Sequence, residues 1–213
     1  MTTLKLLKEN IGSDLGKPSK MPGYSWGISA DLCITGGTLI KLEGSVCENC
    51  YAMKGNYRYP SVTKSHANRI AAYNKNNIIW REGMVELLRK RIPDDAPIVD
   101  KYFRIFDAGD IQSEQMLIDW IFVAEQLPDI KFWLPTKEYR IIRKFKGDIP
   151  DNLIIRVSSP NINQEPLNFA HTSTVHEESP FGFECEAYTR DHKCGSCRAC
   201  WNKEIPNVSY PEQ

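Results

Sequence analysis

The first twenty residues are polar and Lys-rich, and Gly12, Gly16 and Pro18 interrupt them, so they predict an arm or a short helix and no separate domain. From Tyr24 to Ser29 a short aromatic and apolar stretch predicts a strand. It leads into a loop in which Cys33 is followed by Gly36, Gly37 and Gly44, residues that permit tight backbone turns. Between Ser61 and Arg91, Ile70, Tyr73, Ile78, Met84, Val85, Leu87 and Leu88 recur at mostly helical spacing. This predicts one long or broken helix, with a break at Gly83 and an end at Pro93.

A regular alternation follows. Tyr102 to Phe106 reads as a strand that stops at Asp107-Ala108-Gly109-Asp110, and Ser113 to Leu127 as an amphipathic helix closed by Pro128. Ile130 to Leu134 is the next strand, stopping at Thr136-Lys137, with a short helix from Arg140 to Phe145. Leu153 to Val157 is another, ending at Ser158-Ser159-Pro160. Strand, helix, strand, helix, strand makes βαβ units, whose right-handed crossovers build a parallel sheet. The expected fold is α/β: a partial (β/α) barrel with parallel strands and an irregular, Cys-rich C-terminal segment. Beyond Asn161 the pattern fades to a faint strand from Phe169 to Val175 and a last edge from Asn207 to Tyr210. The expected organisation is an N-terminal arm over residues 1–23, the partial barrel over 24–165 and a metal-binding segment over 166–213 packed on it.

At 213 residues and 41% hydrophobic, the chain has material for one substantial core. Its 27 Lys and Arg balance 27 Asp and Glu, so bulk charge attracts neither nucleic acid nor anionic lipid, and any such role needs a local patch. No apolar run approaches the roughly 20 residues needed to span a bilayer, and the N-terminus lacks a signal-peptide core. The expected location is cytoplasmic.

Seven cysteines change the picture. An odd number in a reducing compartment argues for metal ligation over a disulfide framework. The late group, Cys185, Cys194, Cys197 and Cys200, reads C-x8-C-x2-C-x2-C. Successive x2 spacings wrap one loop around a centre, as ferredoxin-type loops do with iron–sulfur clusters, whereas structural zinc favours two separated knuckles. The early group, Cys33, Cys47 and Cys50, offers three thiols and no fourth. It fits a tetrahedral zinc completed by a histidine such as His66, or a 4Fe-4S cluster that leaves one iron open. Ligands shared between the two groups, or a spectator cysteine, also remain open.

Polar residues collect where the strands end: Asp107, Gly109, Asp110, Thr136, Lys137, Ser158 and Ser159. In parallel α/β folds those ends line the active site, and the three-cysteine loop would open on the same face. Singly, each has a plainer explanation, since Asp110 or Ser113 can cap a helix and Lys137 can be a solvated charge. Arg104, Lys137 and Arg156 are candidates for carboxylate or phosphate contacts. His171 and His176 are assigned no role.

A three-cysteine loop after a first strand, a glycine–acid element at Gly109-Asp110 and polar strand ends at Thr136 and Ser158 resemble the radical S-adenosylmethionine enzymes. The first gap here is thirteen residues where that family has three, and the aromatic Tyr51 follows the last cysteine instead of preceding it. The resemblance implies that Cys33, Cys47 and Cys50 hold a 4Fe-4S cluster. It implies that Asp107, Gly109, Asp110, Thr136, Lys137 and Ser158 contact S-adenosylmethionine, and that the sulfonium is cleaved reductively to start radical chemistry on a substrate the sequence does not identify. A second 4Fe-4S cluster on Cys185, Cys194, Cys197 and Cys200 would be auxiliary, and a flavodoxin or ferredoxin would supply electrons.

Lys20-Met-Pro, Cys47-Glu-Asn-Cys-Tyr-Ala, Arg104-Ile-Phe-Asp-Ala-Gly-Asp, Phe132-Trp133 with Thr136-Lys137, Cys194-Gly-Ser-Cys-Arg-Ala-Cys-Trp and Val208-Ser-Tyr-Pro are together similar to the mostly phage-encoded gene product 88 family. That resemblance implies a phage or prophage origin and the host cytoplasm as the place of action. The competing function is a nucleic-acid- or protein-binding phage module with two structural zinc sites. Tyr51, Lys54, Tyr57, Arg58 and Tyr59 interleave bases and aromatics, and Arg190, Lys193 and Arg198 lie in the second cysteine loop.

Overall fold

The structure, a computed structural model, describes residues 2–212. Thr3 caps α1 (Leu4–Asn10) by accepting from the Leu6 amide, and Leu7 and Ile11 turn into the core. There follow β1 (Tyr24–Trp26), α2 (Ile34–Leu39), α3 (Pro60–Lys75) and α4 (Asn77–Arg91). The long helical stretch breaks at Asn76 and not at Gly83. Asn76 has an extended backbone, and its side-chain carbonyl accepts from the Ile79 amide, so one residue stops α3 and caps α4. Gly83 lies inside α4, where a Cβ would meet the Asn10 side chain at 3.0 Å, and its bare backbone lets α1 lie against the helix.

The expected alternation comes next, as β2 (Tyr102–Ile105), α5 (Glu114–Glu125), β3 (Lys131–Thr136), α6 (Tyr139–Lys144) and β4 (Leu153–Ile162). The chain then adds β5 (Thr172–His176), β6 (Phe183–Glu184) and β7 (Asn207–Pro211). All seven strands pair in parallel in the order β1-β2-β3-β4-β5-β7-β6. The fold is α/β with a parallel sheet and a Cys-rich C-terminal region, and β1 and β6 form its two edges.

Two further expectations change. Ser158-Ser159-Pro160 does not end the fourth strand, which runs on to Ile162 with a register shift after Ser158. Proline fits there because β3 stops at Thr136, opposite Val157, and leaves that side of β4 without a strand partner. Asn207–Pro211 is no edge, because it lies between β5 and the two-residue β6.

Alternation along the strands sorts side chains onto two faces. Phe103, Ile105, Phe132, Leu134, Leu153 and Ile155 join Trp26, Trp80, Met84 and Trp120 in the main core beneath the helices. Trp26 sits edge to face with Trp80 at 5.3 Å, Trp120 at 5.5 Å and Phe106 at 5.7 Å. Each such side chain, fully buried, contributes roughly 1.5–3 kcal/mol. Tyr102, Trp133, Val208 and Tyr210 form a second cluster with the turn at Ala199–Trp201, so the cysteine-rich segment covers the other face. No helix among the described residues is long and apolar enough to cross a membrane.

Candidate metal centres

Backbone bonds fix the first cysteine loop. Cys33 is the N-terminal boundary of α2, the Cys47 amide donates to Ser45 Oγ at 3.2 Å, and the Cys50 amide donates to the Cys47 carbonyl at 3.2 Å. The loop docks on the far end of β4, where the Val46 amide donates to the Pro160 carbonyl and the Ile162 amide to the Gly44 carbonyl. Gly36 stands between two thiols: a Cβ there would lie 3.6 Å from Cys47 Sγ and 3.7 Å from Cys33 Sγ. Burial, then the charges of Asp110, Cys50 and Cys47, push the Cys33 thiol well above the ordinary range, with Lys137 opposing. Burial also raises Cys47, again against Lys137. The thiols of Cys33 and Cys47 thus flank Gly36, within reach of the charges of Cys50, two carboxyl groups, Asp110 and Glu138, and the Lys137 ammonium group.

The strand ends are knitted together. Phe106 takes a left-handed conformation (φ +60°), held by its burial and by the hydrogen bond its N–H donates to the Trp26 carbonyl. Gly109 follows with φ +77°, and a Cβ there would meet the Ile28 carbonyl oxygen at 2.7 Å, so only glycine fits. The turn delivers Asp110, whose Oδ1 accepts from Thr136 Oγ1 and the Ile111 amide, both at 2.7 Å, and whose Oδ2 accepts from the Lys137 amide at 2.8 Å. Burial pushes the Asp110 carboxyl up to about 6, against the pull of those three donors. Thr136 Oγ1 also accepts from the Glu138 amide, and the buried Glu138 carboxylate takes both the amide and the hydroxyl of Thr35, at 2.7 and 2.8 Å. One relay thus runs from the end of β2 through the end of β3 to the helix that begins at Cys33.

The four late cysteines surround a small apolar cavity that Phe183, Trp201 and Val208 also line. Cys185 extends β6, its amide donating to the Ser209 carbonyl, and the Cys194 amide donates to the Lys20 carbonyl. Cys200 is buried, with its sulfur 3.2 Å from the Tyr210 hydroxyl, and burial pushes its thiol up to about 12. Burial raises Cys185 and Cys194 as well. Beneath this loop the buried Arg156 donates to the carbonyls of Ala199, Cys200, Asn202, Thr172 and Pro206. It is spent on the backbone and is not free for a carboxylate or phosphate ligand.

Arg104 stands between the two groups. Its Nη2 donates to the Tyr51 hydroxyl at 2.9 Å, and its guanidinium lies 4.7 Å from the centre of the Trp133 ring. Its charge, with that of Arg198, opposes the rise that burial imposes on the Cys194 thiol. Trp133 in turn packs edge-on against Trp201 at 5.1 Å. Buried Arg104 Nε and Trp133 Nε1 have no hydrogen-bond partner among the described residues.

Among the described residues none of the seven cysteines forms a disulfide. Among the described residues no three His, Cys, Asp or Glu side chains close to the spacing that a single ion needs. That spacing differs from the one a cluster needs, because cluster thiolates ligate separate irons. His66 is buried on α3, stacked on Tyr57 with Arg69 and Asp107 as its charged neighbours, and does not complete the first loop. His171 bonds the Lys203 carbonyl, and His176 bonds Ser209 and lies 3.6 Å from Glu184, the residue before Cys185.

Of the other strand-end residues, Asp107 accepts from the Tyr51 and Tyr57 hydroxyls through its carbonyl, while its buried Oδ1 has no partner among the described residues. Ser158 is bonded to Ser173 in the neighbouring strand at 2.9 Å. Tyr51 and Tyr57 are bound in this way, Arg58 pairs with Asp31, and Lys54 bonds Asn49, so most of that basic and aromatic series is engaged within the protein. Glu138 escaped notice in the sequence. It meets Thr35 across 103 residues of chain, and only its place just after the Thr136-Lys137 strand end could have signalled it.

No curated protein and no solved structure matches the chain. Residues 7–203 match the family model described as gene product 88, nearly the whole sequence from α1 past the last cysteine, and the chain belongs to that family.

Proposed function

We propose that this protein is an iron–sulfur enzyme of the radical S-adenosylmethionine type. The observation that carries the reading is that Cys33 and Cys47 flank Gly36 on a loop tied by Thr35, Glu138 and Thr136 to Asp110, at the C-terminal ends of parallel strands. The donor set suits a 4Fe-4S cluster on Cys33, Cys47 and Cys50, since three half-buried thiols on a tightly bonded loop leave one iron without a protein ligand. When bound, such a cluster supplies the electron that cleaves the sulfonium of S-adenosylmethionine.

The chain's own residues do the rest. The Asp110–Thr136–Glu138–Thr35 relay fixes the helix that starts at Cys33 relative to the strand ends. Asp110 carries one accepted bond on Oδ2 against two on Oδ1, which suits Oδ2 to receive an ammonium group. Lys137 brings positive charge to the thiols and suits a carboxylate. The four late cysteines hold a second cluster that organises the face opposite the helices, and a flavodoxin or ferredoxin serves as electron donor.

The test is anaerobic reconstitution with iron and sulfide, reduction, and assay for 5′-deoxyadenosine and methionine. The expected result is cleavage that Cys47→Ser abolishes. A reconstituted, reduced protein that neither binds nor cleaves S-adenosylmethionine would overturn the reading.

A further inference from the structure

A second opening lies at the other end of the sheet. Tyr102 and Lys131 begin β2 and β3, and Phe183 begins β6. These three line a cleft of ≈ 570 Å³ together with Arg190, Arg198 and Cys197. That volume falls in the range of small-molecule sites, about 300–1,000 Å³. It opens at the N-terminal ends of the strands, whereas Asp110 and Thr136 follow or close the C-terminal ends.

The composition of the lining is one-sided. In a chain with a formal net charge of zero, the described lining residues include three cations and no carboxylate. Arg190 is partly neutralised by Glu186 at 3.3 Å. Arg198 is held in place, its Nη1 donating to the Gly195 and Cys197 carbonyls at 2.7 Å while its guanidinium rests 5.0 Å from the centre of the Tyr102 ring. Both hydrogen bonds use Nη1, which leaves Nε and Nη2 for an anion. Lys131 is exposed, and Phe183, at 40% exposure, offers a ring beside these charges. A fixed guanidinium fork, a mobile ammonium and a free aromatic face suit a ligand that joins a phosphate to a flat ring.

We propose that this cleft binds a nucleoside phosphate, either free or as the phosphorylated end of a nucleic-acid strand. Arg198 and Lys131 take the phosphate, and Phe183 stacks on the base. None of these three residues is a metal ligand, but Phe183 also lines the cavity of the four late cysteines and Arg198 braces their loop, so the test uses the metal-loaded protein.

The test is calorimetric titration of the metal-loaded protein at low salt. The ligands are AMP, adenosine, ribose 5-phosphate and a 5′-phosphorylated oligodeoxyadenylate. AMP is expected to bind about tenfold or more tightly than adenosine or ribose 5-phosphate, because each lacks one of the two contacts. Lys131→Gln, at an exposed position, and Phe183→Ala are each expected to weaken AMP about three- to tenfold, with iron content equal to the parent's showing that Phe183→Ala, whose ring also lines the cysteine cavity, leaves that centre intact. Arg198→Gln is the less clean variant, since Arg198 also holds the cysteine loop. Tighter binding of the oligonucleotide with the same sensitivity identifies a strand end as the source, and equal or weaker binding identifies the free nucleotide. Failure of both AMP and the oligonucleotide to bind at about 10 mM, or binding that either variant leaves unchanged, overturns the proposal.

Discussion

The Arg104 guanidinium donates to the Tyr51 hydroxyl at 2.9 Å, and through this bond β2 holds the first cysteine loop, because Tyr51 directly follows Cys50. The same guanidinium rests on Trp133, whose ring packs against Trp201, the residue after Cys200. One cation therefore braces both cysteine groups. Arg104→Met keeps part of the stem but loses the bond and the charge. It is expected to cost about 1–3 kcal/mol in denaturant unfolding and to speed iron loss to a chelator from both centres. Arg104→Lys, which restores charge without the planar fork, should recover only part. A Met variant that unfolds and releases iron like the parent would contradict this bracing role.

Glu138 offers a way to separate the two centres. Its carboxylate accepts both donors of Thr35, two residues beyond Cys33. Glu138→Ala leaves the Thr35 amide unpaired and frees the start of α2, at a cost of about 1.5–3 kcal/mol. Iron content after reconstitution should fall by about half, with the cluster of the four-cysteine group retained. Equal loss from both centres would show that Glu138 acts on overall folding and not on the first loop.

Arg156 has the opposite address. It satisfies five backbone carbonyls with no carboxylate among its hydrogen-bond acceptors, three of them in the turn that carries Cys200. Arg156→Leu strands those carbonyls in a buried setting, and a loss of about 3–5 kcal/mol is expected. Arg156→Lys should recover little, since one ammonium cannot reproduce the fork. Thermal unfolding of the metal-loaded variants measures this, and a Leu variant within about 1 kcal/mol of the parent would contradict it.

His66 sets a pH dependence. Burial first, and Arg69 second, hold its imidazole below the ordinary value, with Asp107 opposing. The unfolded chain then binds the proton better than the folded one, so stability rises with pH across this window. The contribution is fully present above about pH 6.5, the unfolded value, and is lost as pH falls towards the folded pKa. An NMR titration should place His66 below about 6.5, and His66→Gln should flatten that part of the stability curve. A His66 pKa at or above the ordinary value would contradict the assignment.

The strands and helices from Tyr102 to Val157 were legible because period-two and helical patterns there coincide with clear breakers such as Pro128. Asn76 was missed as the helix break because Gly83 looked weaker locally, and the close approach of α1 that explains Gly83 is a tertiary contact. β6 is two residues long, too short to leave a period. The grouping of the cysteines followed from spacing. The Asp110–Thr136–Glu138–Thr35 relay and the five carbonyls around Arg156 did not, because hydrogen bonds between distant segments have no local signature. Ser158 shows the reverse error: a Ser-Ser-Pro run reads as a strand end, yet the strand continues past the end of β3, where the first cysteine loop takes the place of a strand partner.

Iron, zinc and acid-labile sulfide content of anaerobically purified protein tests the central claim most directly. Two 4Fe-4S clusters predict about eight irons with matching sulfide per chain. Stoichiometric zinc without sulfide, unchanged after anaerobic reconstitution with iron and sulfide, would contradict the radical mechanism and leave a zinc-ordered binding module.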